Sequence, residues 1–261
     1  MKNILNKIEF HYSYLIVAFG LVITGHFINL IIFTSLIIVH ELGHAITSRI
    51  MNYKIDKIII YPYGGITKLD TKINTRIEND LLVALSGLFM QSIYFGIIFF
   101  LYKNNIVREY TFNLFFLYHK SMIIFNLLPI YPLDGAKIVN LILSKFICFN
   151  TSNYISIVIS FITIIIFLFS GYYEKNYSII LVVGVLMQNI YKFYKDISFI
   201  YNRFILERYL FNFNYNDKKI IKDKNKMYKN KLHIFNNNGK LIPEKDYIST
   251  FLLQFSQRTR K

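Results

Sequence analysis

His40 and His44 stand four residues apart with Glu41 between them, at the end of the apolar run Ile31-Ile32-Phe33-Thr34-Ser35-Leu36-Ile37-Ile38-Val39. In a helix both imidazoles project from one face and can ligate one metal ion, while Glu41 stays free to act on water at that metal. The pattern is that of a metal-dependent hydrolase. Its setting is unusual, because a zinc-site helix of a soluble enzyme exposes a polar face, whereas this run suits lipid or the middle of a helix bundle. A second constellation is Asn126-Leu127-Leu128-Pro129-Ile130-Tyr131-Pro132-Leu133-Asp134-Gly135. Its two closely spaced prolines break any helix and free backbone groups that only a cavity can satisfy, and Asp134 is a carboxylate among uncharged neighbours.

A catalytic zinc takes three protein ligands and keeps a fourth position for water. The single cysteine, Cys148, excludes an intrachain disulfide and any cysteine-rich metal site. His40 and His44 supply two ligands, and Asp134 is the best third, since it is expected at the same end of a span that crosses in the opposite sense. Zinc acidifies water, and Glu41 takes its proton as the water attacks a carbonyl carbon and returns it to the leaving amine. Peptide hydrolysis follows.

The elements that must position these groups are membrane spans. The chain has 261 residues, 54% of them hydrophobic, in blocks near the bilayer length. The expected fold is all-α and polytopic, with about six transmembrane helices at roughly 12–27, 30–50, 81–102, 110–125, 154–173 and 177–193. Residues 1–10 read as a short basic lead without a cleavable signal. Residues 55–69, β-branched and aromatic around Pro62-Tyr63-Gly64-Gly65, read as a short interfacial β-hairpin, whose stretch 58–66 could pair with an extended substrate. Tyr61, Tyr63, Gly64 and Gly65, with Asn126 and Pro129, are therefore candidate substrate-binding residues. His119 and Lys120 lie at membrane depth and are suspects on that ground.

The formal charge is +15, and from Lys192 onward 16 basic residues face 6 acidic ones. This bias places both termini on the cytoplasmic side; with no nucleic-acid motif beside it, direct nucleic-acid binding is not expected. The organisation expected is a six-span domain over 1–200, with its catalytic core at about 28–140, and a small cytoplasmic α+β tail over 201–261. Strands near 232–235 and 241–242 and a helix over 247–255 make up that tail, with His233 structural in the first strand.

His40-Glu41-Leu42-Gly43-His44 and Asn126 to Gly135 resemble the His-Glu-x-x-His and Asn-x-x-Pro-x-x-x-Leu-Asp-Gly motifs of the site-2-protease family of intramembrane zinc metalloproteases. Pro62 to Gly65 and Arg203-Phe204-Ile205-Leu206-Glu207-Arg208-Tyr209 are similar to its sporulation branch. The resemblance implies one zinc ion on His40, His44 and Asp134, with Glu41 as the catalytic acid and base. It also implies a substrate that is the membrane-associated pro-form of a late mother-cell sigma factor, two inhibitory membrane partners, and a place in the membrane around the forespore. That branch carries a nucleotide-sensing domain of the cystathionine-β-synthase type, so ATP at a reduced tail module is a further expectation. Ser86-Gly87-Leu88 departs from the family's Gly-Pro pair, and Ala136 follows Gly135 where a second glycine is usual. Two alternatives remain: a catalytically silent membrane scaffold of the same fold, and a membrane zinc protease whose third ligand is a glutamate on a downstream helix.

Overall fold

The computed structural model describes residues 4, 6–169, 178–215, 217–237 and 239–258. The chain divides into two units, one comprising residues up to Thr71 with Asn79–Leu128, the other Lys72–Glu78 with the chain from Pro129 onward.

The first unit contains β1 (Ile8–Phe10), α1 (Tyr12–Ile23), α2 (Phe27–Ile50), β2 (Lys54–Tyr61), β3 (Gly64–Asp70), all but the first residues of α3 (Ile77–Lys103), and α4 (Glu109–Leu127). Leu36, Ile37 and Ala45 of α2 pack in one core with Ile58 and Ile60 of β2 and Phe115 and Met122 of α4. Apolar packing alone discriminates poorly among helices that are apolar all round, so polar pairs fix their rotation. Asn29 Nδ2 donates to the Tyr118 hydroxyl at 2.9 Å, Tyr94 to Ser35 at 3.2 Å, and Tyr14 is joined to Thr34. Between α2 and α3 the backbones meet at Gly43, where a Cβ would come within 2.5 Å of the Ser86 carbonyl.

The hairpin expected around Pro62-Tyr63 is present, with Tyr61 opposite Gly64 and Ile58 opposite Thr67. The strand order is β1-β2-β3, with β1 running parallel to β2 so that Ile8 pairs Ile58 and Phe10 pairs Ile60. Two expectations are corrected. Residues 8–10 are a strand rather than part of a free lead, because Ile8 and Phe10 complete a sheet whose other strands lie some fifty residues away. Strand β2 is therefore central, and of the stretch 58–66 only Gly64, Gly65 and Ile66 lie on the edge strand β3 that a further strand could join. Ile58, Ile59 and Ile60 are all buried instead of alternating, so β2 is covered on both faces at this point.

The second unit contains α5 (Asp134–Phe146), α6 (Phe149–Phe169), α7 (Ser178–Leu210), β4 (Lys218–Ile221), β5 (Leu232–Asn237), β6 (Lys240–Pro243) and α8 (Glu244–Arg258). Helix α4 stops at Leu127, before Pro129, and α5 starts at Asp134, as the two prolines require. Helices α5 and α6 pack through a buried polar ladder: Asn140 Nδ2 donates to Asn153 Oδ1 at 2.7 Å, and the Ser144 and Ser152 hydroxyls are 2.8 Å apart. Strands β4 and β5 are parallel, β5 and β6 antiparallel, and Phe235 and Ile248 close a core on Tyr201, Phe204 and Ile205 of α7. The boundary expected at residue 200 thus falls inside a continuous 33-residue helix whose last turns carry the tail.

Among the described residues, three helices are long and apolar enough to cross a membrane: Phe27–Ile50, Ile77–Lys103 and Phe149–Phe169. The first expected span is instead a 12-residue helix, about 18 Å long against a hydrocarbon core of about 30 Å. It stops because Gly25 takes φ +77° and the Thr24 hydroxyl donates back to the Gly20 carbonyl. The end of the fifth expected span, the Glu174-Lys175 loop and Tyr177 lie outside the described residues.

Candidate metal centre and active site

Helix α2 buries one face through Leu36, Ile37, His40, Glu41, His44, Ala45 and Ser48. The same 3.6-residue repeat that drives its apolar packing brings the two histidines one above the other. Their Nε2 atoms are 3.1 Å apart and their rings meet edge-on. Nitrogens bound to one tetrahedral zinc at 2.0–2.1 Å would be about 3.3 Å apart. Atoms of His40, Glu41 and His44 suited to metal ligation lie within 4.8 Å of one another, and all three residues are buried.

Each ring is held from its far side. His44 Nδ1 donates to the Val83 carbonyl at 2.7 Å, and His40 Nδ1 lies 3.2 Å from Gln91 Oε1. A proton on Nδ1 leaves the Nε2 lone pair for a metal. The space where the two Nε2 atoms converge exists because residue 87 is glycine: a Cβ there would sit 2.5 Å from His44 Nε2 and 2.7 Å from His40 Nε2. That cradle and the paired nitrogens fit a zinc ion. In place of the family's Gly-Pro pair, Gly87 supplies clearance; α3 continues through it as helix.

Glu41 meets the edge strand. Thr67 Oγ1 donates to Glu41 Oε2 at 2.6 Å, and Gly65 lies so close that its Cβ would be 2.7 Å from Oε1. Gly65 and Thr67 are two apart in β3 and share one face, so the strand's inner face is shaped to the carboxylate.

Three candidate substrate residues come together. Tyr63, Gly64 and Asn126 line an apolar groove of about 230 Å³ with Phe33, Ile37 and Tyr118. Ile37 is one helical turn before Glu41. The Tyr61 and Tyr63 rings stack at 5.3 Å, and burial first, then Tyr61, raises the Tyr63 hydroxyl above its ordinary pKa. In the second unit Asp134 is the first residue of α5, buried, with Lys137 Nζ 2.8 Å from Oδ1. Pro129 begins the longer segment of that unit. His119 is buried against Phe95, ring to ring at 4.5 Å.

Gln91, Gly87, Val83 and Thr67 were missed by reading the sequence. Val83, Gly87 and Gln91 follow one another at intervals of four on α3, which places them on one face. A glutamine in an apolar span is a usable signal. The glycine of Ser86-Gly87-Leu88 is visible inside a helical run, though not what it clears; a backbone carbonyl leaves no signal.

Comparison with known proteins adds four findings. Residues 28–108 match the model of peptidase family M50. The chain is 28% identical over 213 residues to stage IV sporulation protein FB of Bacillus subtilis, covering 79% of this chain and 73% of that one. It is 31% identical over 190 residues to zinc metalloprotease MJ0392 of Methanocaldococcus jannaschii, covering 67% of this chain and 54% of that protein. Among solved structures, the site-2 protease from Methanocaldococcus jannaschii superposes with a TM-score of 0.57 at 26% identity, covering 71% of this chain and 89% of the other.

Proposed function

Given that this chain belongs to peptidase family M50, the site-2 protease family of intramembrane metalloproteases, we propose that it holds one zinc ion on His40, His44 and Asp134. With that ion and Glu41 it hydrolyses a peptide bond of a membrane-associated protein. The observation that carries this reading is the buried His40–Glu41–His44 group with its Nε2 atoms 3.1 Å apart over the Gly87 cradle. Zinc bound there would supply Lewis acidity, lowering the pKa of water toward neutrality and polarising a carbonyl. Glu41 accepts the water's proton at Oε1 while Thr67 holds Oε2, and then delivers it to the departing amine. Two neutral histidines and one aspartate would leave such an ion a single net positive charge, less costly to bury among apolar helices than a double one.

The substrate is an extended segment. A helical peptide bond is sheltered by its own hydrogen bonds, whereas a strand laid along the outer edge of β3 exposes its carbonyls beside the face that Gly65 and Thr67 turn to Glu41. The groove of Tyr63, Gly64 and Asn126 takes an apolar side chain of that segment. In finer detail, the substrate is the pro-form of a late sporulation sigma factor in the mother-cell membrane, restrained by two inhibitory membrane proteins, with both termini of this chain cytoplasmic. Supporting this are the likeness to the sporulation protein over 73% of its length and the +10 charge after residue 191. A nucleotide site in the tail has no comparable support.

Metal analysis of the purified protein tests the assignment. About one zinc per chain is expected, lost in Asp134→Ala; full zinc in that variant would remove Asp134 from the ligand set. Tyr63→Ala is expected to slow cleavage with zinc unchanged, and an unaltered rate would remove the groove from substrate binding.

A further inference from the structure

Gln91 of α3 is fully buried in the first unit, so its amide must find its partners inside the protein. Its nitrogen can only donate and its oxygen can only accept. Nε2 lies 3.2 Å from the backbone carbonyl of His119 and 3.4 Å from His119 Nδ1, and Oε1 faces His40 Nδ1 at 3.2 Å. Reversing the amide would set oxygen against a carbonyl oxygen, so the His119 carbonyl determines which way the group points. His119 is itself held by its stacking on Phe95 and Phe115. With Oε1 an obligate acceptor, the nitrogen of His40 that faces it must carry the proton.

We propose that Gln91 is a positioning residue for the metal centre, compelling His40 to carry its proton on Nδ1 and to offer Nε2 to the metal. The proposal rests on the reading of His40 as a zinc ligand. It assigns His119 the part of a brace for Gln91 rather than that of a ligand. One face of α3 then does three things at intervals of four residues. The Val83 carbonyl orients His44, Gly87 clears the space between the two Nε2 atoms, and the Gln91 amide orients His40. The two ligands are set by unlike devices. His44 leans on a carbonyl that no substitution removes, whereas His40 leans on a side chain that a single change abolishes.

Three measurements on the full chain in detergent micelles test this: zinc affinity by competition with a chelator, melting of the zinc-free protein, and histidine 15N NMR of the zinc-loaded protein. Gln91→Met keeps the volume and removes the acceptor, and is expected to weaken zinc binding about 10–100-fold with melting near that of the parent. Gln91→Glu keeps an oxygen toward Nδ1 and, as the neutral acid, still donates to the His119 carbonyl in place of the amide nitrogen; it is expected to retain most of the affinity, which a merely structural role would not predict. In the parent, the His40 proton is expected on Nδ1; this needs no substitution and stands even if Gln91→Met fails to fold. A His40 proton on Nε2, or zinc affinity unaltered by Gln91→Met, would overturn the assignment alone. A parent protein that binds no zinc would overturn the proposed function and this assignment with it.

Discussion

Among the described residues, two buried clusters combine histidine and glutamate, and they are built on opposite terms. In the tail, His233 Nδ1 donates to Glu244 Oε2 at 3.0 Å, and its Nε2 accepts the Tyr228 amide at 2.9 Å. Glu244 also accepts the His233 amide and faces Arg208 at 3.6 Å. Arg208 in turn donates to Asn74 Oδ1 and to the carbonyls of Tyr228, Lys229 and Lys231. Every nitrogen and oxygen there is pointed at another part of the chain, so the cluster closes on itself and ties α7, β5, α8 and the loop leading into α3. In the first unit the protein spends Val83 and Gln91 on the Nδ1 side of each histidine and directs both Nε2 atoms to one point over a glycine. A buried polar group that is fully paired is structure; buried groups aimed together at a cleared space are chemistry.

The contrast can be broken in several ways. Glu41→Gln removes the group that carries the proton and is expected to lower cleavage about a thousand-fold or more with zinc retained. Glu244→Gln should leave the rate per folded molecule unaltered, and equal losses in the two variants would erase the distinction. In the tail, Arg208→Met takes the cationic partner from the Glu244 carboxylate and the donors from three carbonyls, which should cost about 3–5 kcal/mol of stability. That is read as a lower melting temperature with unchanged zinc per folded chain. Gly87→Ala fills the cradle and is expected to weaken zinc about 100-fold, whereas Gly96→Ala, on the same helix with nothing within 4 Å of the new Cβ, should do nothing to zinc.

The smallest effect concerns pH. Burial first, partly offset by Glu244, holds His233 below its ordinary pKa. As pH falls below about 6.5 the unfolded chain takes up a proton that the folded tail refuses, so stability drops by up to about 1.4 kcal/mol per unit. The loss ends once the pH has fallen through the folded value, and it should vanish in His233→Gln. Melting curves of parent and variant between pH 7 and 5 check the sign.

Much of this was legible in the chain. The His-Glu-x-x-His spacing announces itself because helical periodicity is local. So does the break at Pro129 and Pro132, because a proline's missing donor needs no partner to act. The hairpin turn at Pro62-Tyr63-Gly64 was readable for the same reason. Strand β1 was not, since three residues have no period of their own until Ile58 and Ile60 lie beside them. The first expected span is shorter than its apolar content suggests, because that content runs on through Thr24 and Gly25, where the helix stops.

The sequence by itself determined the chemistry on offer: two imidazoles and a carboxylate on one helix face, an aspartate after a broken helix, and spans apolar enough to hold them in a membrane. Tertiary structure alone decided which atoms of those groups are turned where. The tautomer of His40, the clearance at Gly87, the Thr67 hydroxyl on Glu41 and the closure of the tail around Arg208 each arise between segments distant in the chain. Hydrogen-bond direction and van der Waals contact depend on positions that no local pattern records.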